Sequence, residues 1–307
     1  MKLYNISYKG LLGVIMTIID LKYFQAVATY KSISRAAEYL HISQPSLSVA
    51  IKGLEDEFGV TLFERRHKGV VLSAEGEILF GMSKELVSGF DGICEAMHDL
   101  GGKRKSLRIG VPPMIGSLIL PHICGEFVDG HRDIRLDISE GGSRELLSRL
   151  NDGLLDMLFL THREGLGTEL SSLEVSSLEV VCCASFGSDI AGRDRIDVRE
   201  LDGVPLVLFK NSFFQTEIIK KLFSDCGIEP NILLQTDQLS TVESIVESGV
   251  AVGFLFKELV ARESKLAIIP LSSDERVSVS LVWKRGAYMS DSMRAFKDFV
   301  KEGGLLI

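Results

Sequence analysis

Residues 34–55 read SRAAEYLHISQPSLSVAIKGLE, two short helical patterns on either side of the break His41-Ile42-Ser43. A proline stands one residue after a glutamine, where the second pattern begins. Ser32-Ile33-Ser34 offers N-cap candidates for the first helix, in which Ala37 and Leu40 face inward. Ser43 caps the second, and Pro45 falls in its first turn, where a missing N–H costs nothing. Leu47, Ile51, Leu54 and Phe58 form one apolar stripe at helical spacing. Rotating about 100° per residue puts Pro45, Val49, Lys52 and Gly53 on the opposite side, with Ser46 and Ser48 on the flanks. The exposed N-terminal half thus carries small hydroxyls, the Gln44 amide and a lysine. Such side chains enter a major groove without clashing and bond to base edges or phosphates. A generic pair of short helices reads as a solvated hairpin; two joined by three residues, with this small polar face, read as a helix-turn-helix.

Upstream, Leu21, Phe24, Val27 and Ala28 recur at helical spacing and predict a first helix from Asp20 to Tyr30. Downstream of Gly59 comes VTLFERRHKGVVLSAEGE, in which Val60, Leu62 and Phe63 would seal a small domain. Arg65-Arg66-His67-Lys68-Gly69 is a basic turn between short extended pieces. A charge run is usually a solvated loop, but directly after a helix-turn-helix it fits a wing that touches backbone phosphate.

With these pieces in place, residues 20–77 resemble the winged helix-turn-helix of LysR-type transcriptional regulators. The matching segments are DLKYFQAVA, SISRAAEYL, HISQPSLS, IKGLEDEFGVTLFERR and LSAEGE, without a gap. The resemblance implies that the helix starting near Gln44 is the recognition helix. Gln44, Pro45, Ser46 and Ser48, opened by Ser43, would then approach bases. Ser34, Arg35, Lys52 and Arg66, with Arg65 in the basic turn, would hold phosphates. The chain departs from the family at Val49-Ala50, where an arginine or glutamine usually follows the serine. A bidentate reader of guanine is absent there, and Val49 could touch a thymine methyl instead.

A chain of 307 residues exceeds the usual single-core size, so two or more domains are expected. The net charge of −8 argues against a protein that coats nucleic acid through bulk electrostatics. The distribution is more informative: residues 1–106 balance at +1, and the remainder carries −9. Five cysteines at irregular spacing do not form a disulfide framework and read as reduced thiols of a cytoplasmic protein. Residues 1–19 read as a leader or a misassigned start. Lys9-Gly10 followed by LLGVIMTII resembles a signal peptide but lacks a small-residue cleavage pattern, so either Met16 is the natural start or residues 1–15 take no part in the fold. No apolar run reaches the length of a membrane span, and no membrane partner is expected.

From Ser73 to Leu100 the pattern stays helical. Leu79, Leu86, Ile93 and Leu100 repeat every seven residues, with Met82 and Met97 in neighbouring positions. A stripe this narrow suits a partner helix better than a broad core. The resemblance agrees, since family members dimerise through this linker. Gly101-Gly102-Lys103-Arg104-Lys105 then breaks the helix and closes a linker and hinge of 78–105.

Residues 106–307 alternate strands and helices, an α/β pattern. LRIGV (107–111), IRLDISE (134–140), LLDMLFL (154–160), LEVVCCAS, VPLVLF and VSVSLVWKR read as strands. Ser117–Phe127 and residues 143–153 read as helices, and Cys182 and Cys183 as filler in one strand. This region resembles the family's effector domain, which has the two-lobed fold of periplasmic solute-binding proteins. GGSRELLSRLNDGLLDMLFL is the most diagnostic piece. The expected architecture is therefore an N-terminal, mainly α winged helix-turn-helix, a linker helix, then an α/β two-lobed periplasmic-binding-protein-like domain. Lobe one would be 107–163 and 267–307, and lobe two 164–266.

A small molecule should sit between the lobes. Pro113, Met114, Ile115 and Gly116 lead from the first strand into a helix N-terminus, a place that favours anions. Ser143 opens the next helix, and Phe209 to Asn211 would face them from lobe two. These residues suggest a small carboxylate-bearing metabolite, although capping explains Ser143 as well as ligand binding does.

The reading is thus a cytoplasmic, effector-modulated regulator that binds double-stranded promoter DNA. It would act as a homodimer through the linker helix. A homotetramer through effector-domain contacts, and RNA polymerase as a further partner, are implied by the family. A solute-binding protein with residues 1–19 as signal has no use for residues 20–100. An enzyme lacks support: there is no HExxH, GxSxG, phosphate loop or paired cysteine motif, and no metal or cofactor is expected. Six histidines are scattered singly, of which His162 lies near the expected lobe crossover.

Overall fold

The computed structural model describes residues 16–66, 69–101, 106–163, 165–260, 265–303 and 305. His67 and Lys68 of the basic turn, residues 1–15 and hinge residues 102–105 lie outside the described residues. The chain divides into two compact units, 1–95 and 96–307.

In the first unit α1 (Ile18–Tyr30), α2 (Ile33–Tyr39) and α3 (Gln44–Phe58) enclose a core of Phe24, Val27, Ala36, Leu47, Ile51 and Leu54. Each helix opens on a hydroxyl cap. Thr17 and Asp20 bond reciprocally as a capping box, Ser32 accepts from the Arg35 amide, and Ser43 accepts from the Ser46 amide. Residues 16–19, set apart from the winged helix-turn-helix by the sequence, pack with it: Thr17 caps α1, and the Met16 amide donates to Glu57 at 3.1 Å. Phe58, expected in the apolar stripe of α3, is 41% exposed, because the last turn runs past the core before Gly59 ends it.

The antiparallel wing, β1 (Phe63–Arg66) and β2 (Gly69–Leu72), packs Phe63 on Phe24 with ring centroids 5.2 Å apart. Gly69 has φ +129°, and a Cβ there would lie 2.3 Å from the Lys31 carbonyl oxygen. The next amide, of Val70, donates to that same oxygen, so the wing is pinned to the end of α1 at a place only glycine can occupy.

Helix α4 (Ala74–Leu100) lays Phe80, Ser83, Val87 and Asp91 against the rest of the first unit. Gln25 donates to Ser83 at 3.0 Å and Lys22 pairs with Asp91 at 2.7 Å. Near the other end of α4, within the second unit, Asp99 accepts from the Tyr288 hydroxyl at 2.8 Å and from the Asp291 amide at 3.1 Å.

The second unit is built on β3 (Ser106–Val111), β4 (Arg135–Glu140), β5 (Met157–His162), β6 (Leu170–Ser185), β7 (Leu206–Phe209), β8 (Ile232–Thr236), β9 (Val252–Phe256), β10 (Leu266–Pro270) and β11 (Arg276–Lys284). Hydrogen bonding runs in the order β4-β3-β5-β11-β6-β9-β7-β8, with β10 also on β6. β6 is long enough to serve both lobes. Its first part pairs with β11 in lobe one, and its last part pairs with β9 and β10 in lobe two. Residues 170–179, expected in lobe two, therefore lie in the lobe-one sheet, and residues 267–270, expected in lobe one, pair in lobe two. The chain crosses inside a continuous strand, which has no composition break to mark it.

Helix α5 (Pro113–His122) starts earlier than the expected Ser117 and continues through a π-helical turn (Ile123–Phe127) into α6 (Val128–Gly130). α7 (Ser143–Asn151), α8 (Phe214–Asp225), α9 (Leu239–Glu247), α10 (Lys257–Val260) and α11 (Asp291–Lys301) complete the unit, with a 3-10 turn at Val198–Leu201. Phe296 of α11 meets Phe127 edge-on at 5.0 Å in the lobe-one core. Asp156 clamps the start of β5 to β3. It accepts from the Arg108 amide at 2.8 Å and from its guanidinium at 2.6 Å. No described helix is long and apolar enough to cross a membrane.

Candidate functional site

Two sites take shape, one in each unit. In the first, the three-residue turn places the start of α2 beside the start of α3, and the Ser34 hydroxyl donates to Gln44 Oε1 at 3.2 Å. Ser43 and Ser46 share a 2.7 Å hydrogen bond between hydroxyls. Ser34, Arg35, Ser43, Gln44, Pro45 and Ser46 are exposed or half-buried, Ser48 is half-buried, and Val49 is 72% exposed. Behind them Ser48, Lys52, Arg65 and Val70 line a groove of about 620 Å³ between α3 and the wing, into which Glu55 and Asp56 also reach. The Glu55 carboxylate is committed elsewhere, accepting from the Leu62 amide at 2.7 Å. Arg35, Lys52 and Arg65 form no ion pair among the described residues, and Arg66 pairs with Glu64 at 3.0 Å. An exposed pair of that kind is worth little and yields to a phosphate.

The apolar stripe of α4 faces away from the first unit's core. Met82, Leu86, Ile93, Met97 and Leu100 are exposed, Ile93 by 65%. Leu79, expected in the same seam, is half-buried against the core of the first unit, and Ile78 takes the exposed position instead. Phe90 also joins the stripe, which the strict seven-residue count passed over.

In the second unit, a cavity of about 10 Å³ lies where the lobes meet, lined by Pro112, Met114, Ile115, Ser143, Thr161, Phe213, Phe214, Gln215 and Phe256. It has room for about one water. Lobe one brings the N-termini of α5 and α7, and lobe two brings that of α8. None of these three helices has a side-chain cap, in contrast to the hydroxyl caps of the first unit. The first turns of these helices thus line the cavity with their dipoles uncompensated by a side-chain cap. The buried hydroxyls of Ser143 and Thr161 lie 3.4 Å apart, and Gln215 is held by donating to the Phe254 carbonyl at 2.7 Å. The lobes touch beside the cavity: the Arg144 amide donates to the Ser212 carbonyl at 3.3 Å, and Arg144 pairs with Glu217 at 2.6 Å.

Of the residues expected around a ligand, Met114, Ile115 and Ser143 line this cavity. The others do not. Pro113 begins α5, and its neighbour Pro112 takes the wall. Gly116 faces a separate surface groove with Ser117, Leu120 and Glu140. Phe209 is 2% exposed, sealed beneath Phe213 at 5.0 Å between ring centroids. Asn211 is tied up at the surface, accepting from Lys220 at 2.7 Å and Gln235 at 3.1 Å. Lobe two instead contributes Phe213, Phe214 and Gln215, one turn further on, with Phe256. The signal for them was positional. Thr161 is the next-to-last residue of β5, Phe256 ends β9, and Phe213 to Gln215 open the helix after β7, where open α/β sheets place ligands.

The comparisons with known proteins cover both units. Residues 18–77 match the model for the bacterial regulatory helix-turn-helix protein, lysR family, and residues 100–304 match that for the LysR substrate binding domain. The HTH-type transcriptional regulator YwbI of Bacillus subtilis is 28% identical, over 93% of this chain and 96% of its own length. The RuBisCO operon transcriptional regulator of Allochromatium vinosum is 27% identical, over 93% of this chain and 95% of its own. Among solved structures, a full-length OxyR variant from Pseudomonas aeruginosa superposes with a TM-score of 0.64 at 22% identity, covering 95% of this chain and 96% of that one. Full-length CbnR complexed with its target DNA gives 0.59 at 19% identity, over 94% and 99%.

Proposed function

The chain belongs to the LysR family of bacterial transcriptional regulators, and from that premise we propose that it binds double-stranded promoter DNA under the control of a small carboxylate-bearing molecule held between its lobes. It is a regulator and not an enzyme, as its family is. Gln44, Pro45, Ser46, Ser48 and Val49 approach base edges, and Ser34, Arg35, Lys52, Arg65 and Arg66 hold the backbone. The supporting observation is that Arg35, Lys52 and Arg65 on this face form no ion pair among the described residues. A homodimer through the exposed stripe of α4 presents two such helices to a pseudo-palindromic site, and effector-domain contacts extend it to a tetramer. The place of action is the cytoplasm.

The carboxylate reading rests on the three uncapped helix N-termini around Ser143 and Thr161. A carboxylate entering there competes with the Ser212 carbonyl for the Arg144 amide, and so favours lobes held further apart. That shifts the populations of lobe and subunit arrangements. Duplexes from the gene's own neighbourhood test the whole reading: one of them should bind better than random DNA at moderate salt. If none does, the proposal fails.

A further inference from the structure

The last turn of α4, from Ala96 to Leu100, belongs to the second unit and carries a carboxylate with two donors. Both hydrogen bonds fall on one oxygen: Asp99 Oδ2 accepts from the Tyr288 hydroxyl at 2.8 Å and from the Asp291 amide at 3.1 Å. Tyr288 stands in the segment after β11, and Asp291 is the first residue of α11. Its amide is one of those that a helix leaves without an internal partner. Ser290 caps the Met293 amide of the same turn, so the N-terminus of α11 is divided between its own cap and α4. A carboxylate there also meets the positive end of the helix dipole.

From this point α11 leads into the lobe-one core. Phe296 meets Phe127 at 5.0 Å and Phe159 at 6.2 Å between ring centroids, edge-on to both. Phe127 closes the π-helical turn that continues α5, and Phe159 lies in β5 two residues before Thr161. Met114 and Ile115, at the other end of α5, line the inter-lobe cavity, and so does Thr161. Two elements of lobe one that border the cavity thus rest on one side chain of α11, and the first turn of α11 holds α4. Contiguous packing of this kind carries coupling when its elements have more than one arrangement.

We propose that Asp99 is a positioning residue for regulation: it passes a change in lobe one to α4, because its carboxylate ties the last turn of that helix to the N-terminus of α11. The regulatory meaning rests on the function proposed above; the coupling itself is a property of the second unit. The same helix carries the exposed stripe of Leu86 and Ile93, so what moves its last turn acts on the element assigned to pairing.

Hydrogen exchange of the full chain, read by mass spectrometry without DNA or ligand, tests this. Asp99→Ala removes the acceptor and should speed exchange of amides 97–101 about three- to tenfold. Asp99→Asn keeps an acceptor oxygen and should stay within about twofold of the unaltered chain. Gly142→Ala adds a Cβ that meets Ser212 of lobe two and so strains lobe one. It should change exchange at 97–101 at least about twofold in the unaltered and Asp99→Asn chains, and leave it unchanged in Asp99→Ala. A purely structural Asp99 predicts equal responses in all three. An Asp99→Ala chain that exchanges like the unaltered one, a response to Gly142→Ala that is the same without Asp99, or no response in any background each overturns the proposal. Failure of every promoter duplex to bind better than random DNA would overturn the function and leave this measurement standing.

Discussion

Gly142 of lobe one lies so close to Ser212 of lobe two that a Cβ on it would sit 2.5 Å from the serine Oγ and 2.6 Å from its carbonyl oxygen. The glycine has φ −70°, open to any residue, so the constraint is steric and not conformational. Next to it the Arg144 amide donates to the same carbonyl. The contact fixes how tightly the cleft shuts.

Gly142→Ala should therefore separate the lobes at this point and break the Arg144–Ser212 hydrogen bond. Backbone cannot yield as a flexible side-chain tip would, and overpacking of this kind costs about 1–3 kcal/mol. For a unit of this size, that lowers the melting temperature by roughly 2–4 °C per kcal/mol. An unchanged melting curve for Gly142→Ala would show that the lobes do not rest on this contact.

Val49 projects from α3 with 72% of its surface exposed and no hydrogen-bonding group. Val49→Arg should create a guanine preference at one position of the bound duplex, worth about 1–3 kcal/mol against the wrong base. If the new guanidinium also reaches a phosphate, the salt dependence of log K steepens by about one unit. Binding measured across a set of single-base duplexes and three salt concentrations checks both. An identical profile means that this face of α3 does not meet DNA.

On α4, Leu86 and Ile93 stand two turns apart in the exposed stripe. Each contributes about 1.5–3 kcal/mol if a partner helix buries it. Leu86→Glu with Ile93→Glu should then raise a dimer dissociation constant by at least about a hundredfold, with far-UV circular dichroism unchanged. Sedimentation velocity at micromolar protein reads the outcome; a persisting dimer would place the interface elsewhere.

Four of the five thiols stand at the extremes of exposure, with Cys94 half-buried between them. Cys182 and Cys183 are buried in β6, and desolvation pushes both thiols up, that of Cys183 to about 12 against an ordinary value near 9. Cys124 and Cys226 are exposed. At pH 8 a disulfide reagent should titrate Cys124 and Cys226 quickly, and the β6 pair only after unfolding. The folded values lie above the unfolded ones, so this pair's contribution to stability is full below about pH 9 and is lost as the pH climbs toward 12. Four fast equivalents in the native protein would contradict the burial.

Elements whose signals are local are legible in the amino-acid sequence. The cap Ser43, the proline at the start of α3, the stripe Leu47–Ile51–Leu54 and the turn His41-Ile42-Ser43 each act over a few neighbouring turns, so the helix-turn-helix could be read from SRAAEYLHISQPSLSVAIKGLE. The Thr17–Asp20 capping box is equally local, although it lies beside an apolar run that resembles a signal peptide. Features that depend on residues far apart in sequence are set by packing. β6 divides between two lobes because β11 and β10, about a hundred residues later, pair with its two parts. The cleft takes Phe213, Phe214 and Gln215 in place of Phe209, whose strand side chain ends in the core, and of Asn211, which Lys220 and Gln235 hold at the surface. Leu79 turned inward because the first unit's core reaches the first turns of α4, a fact that no seven-residue repeat contains. Periodicity records which face of an element is apolar; which neighbour covers that face is settled by packing.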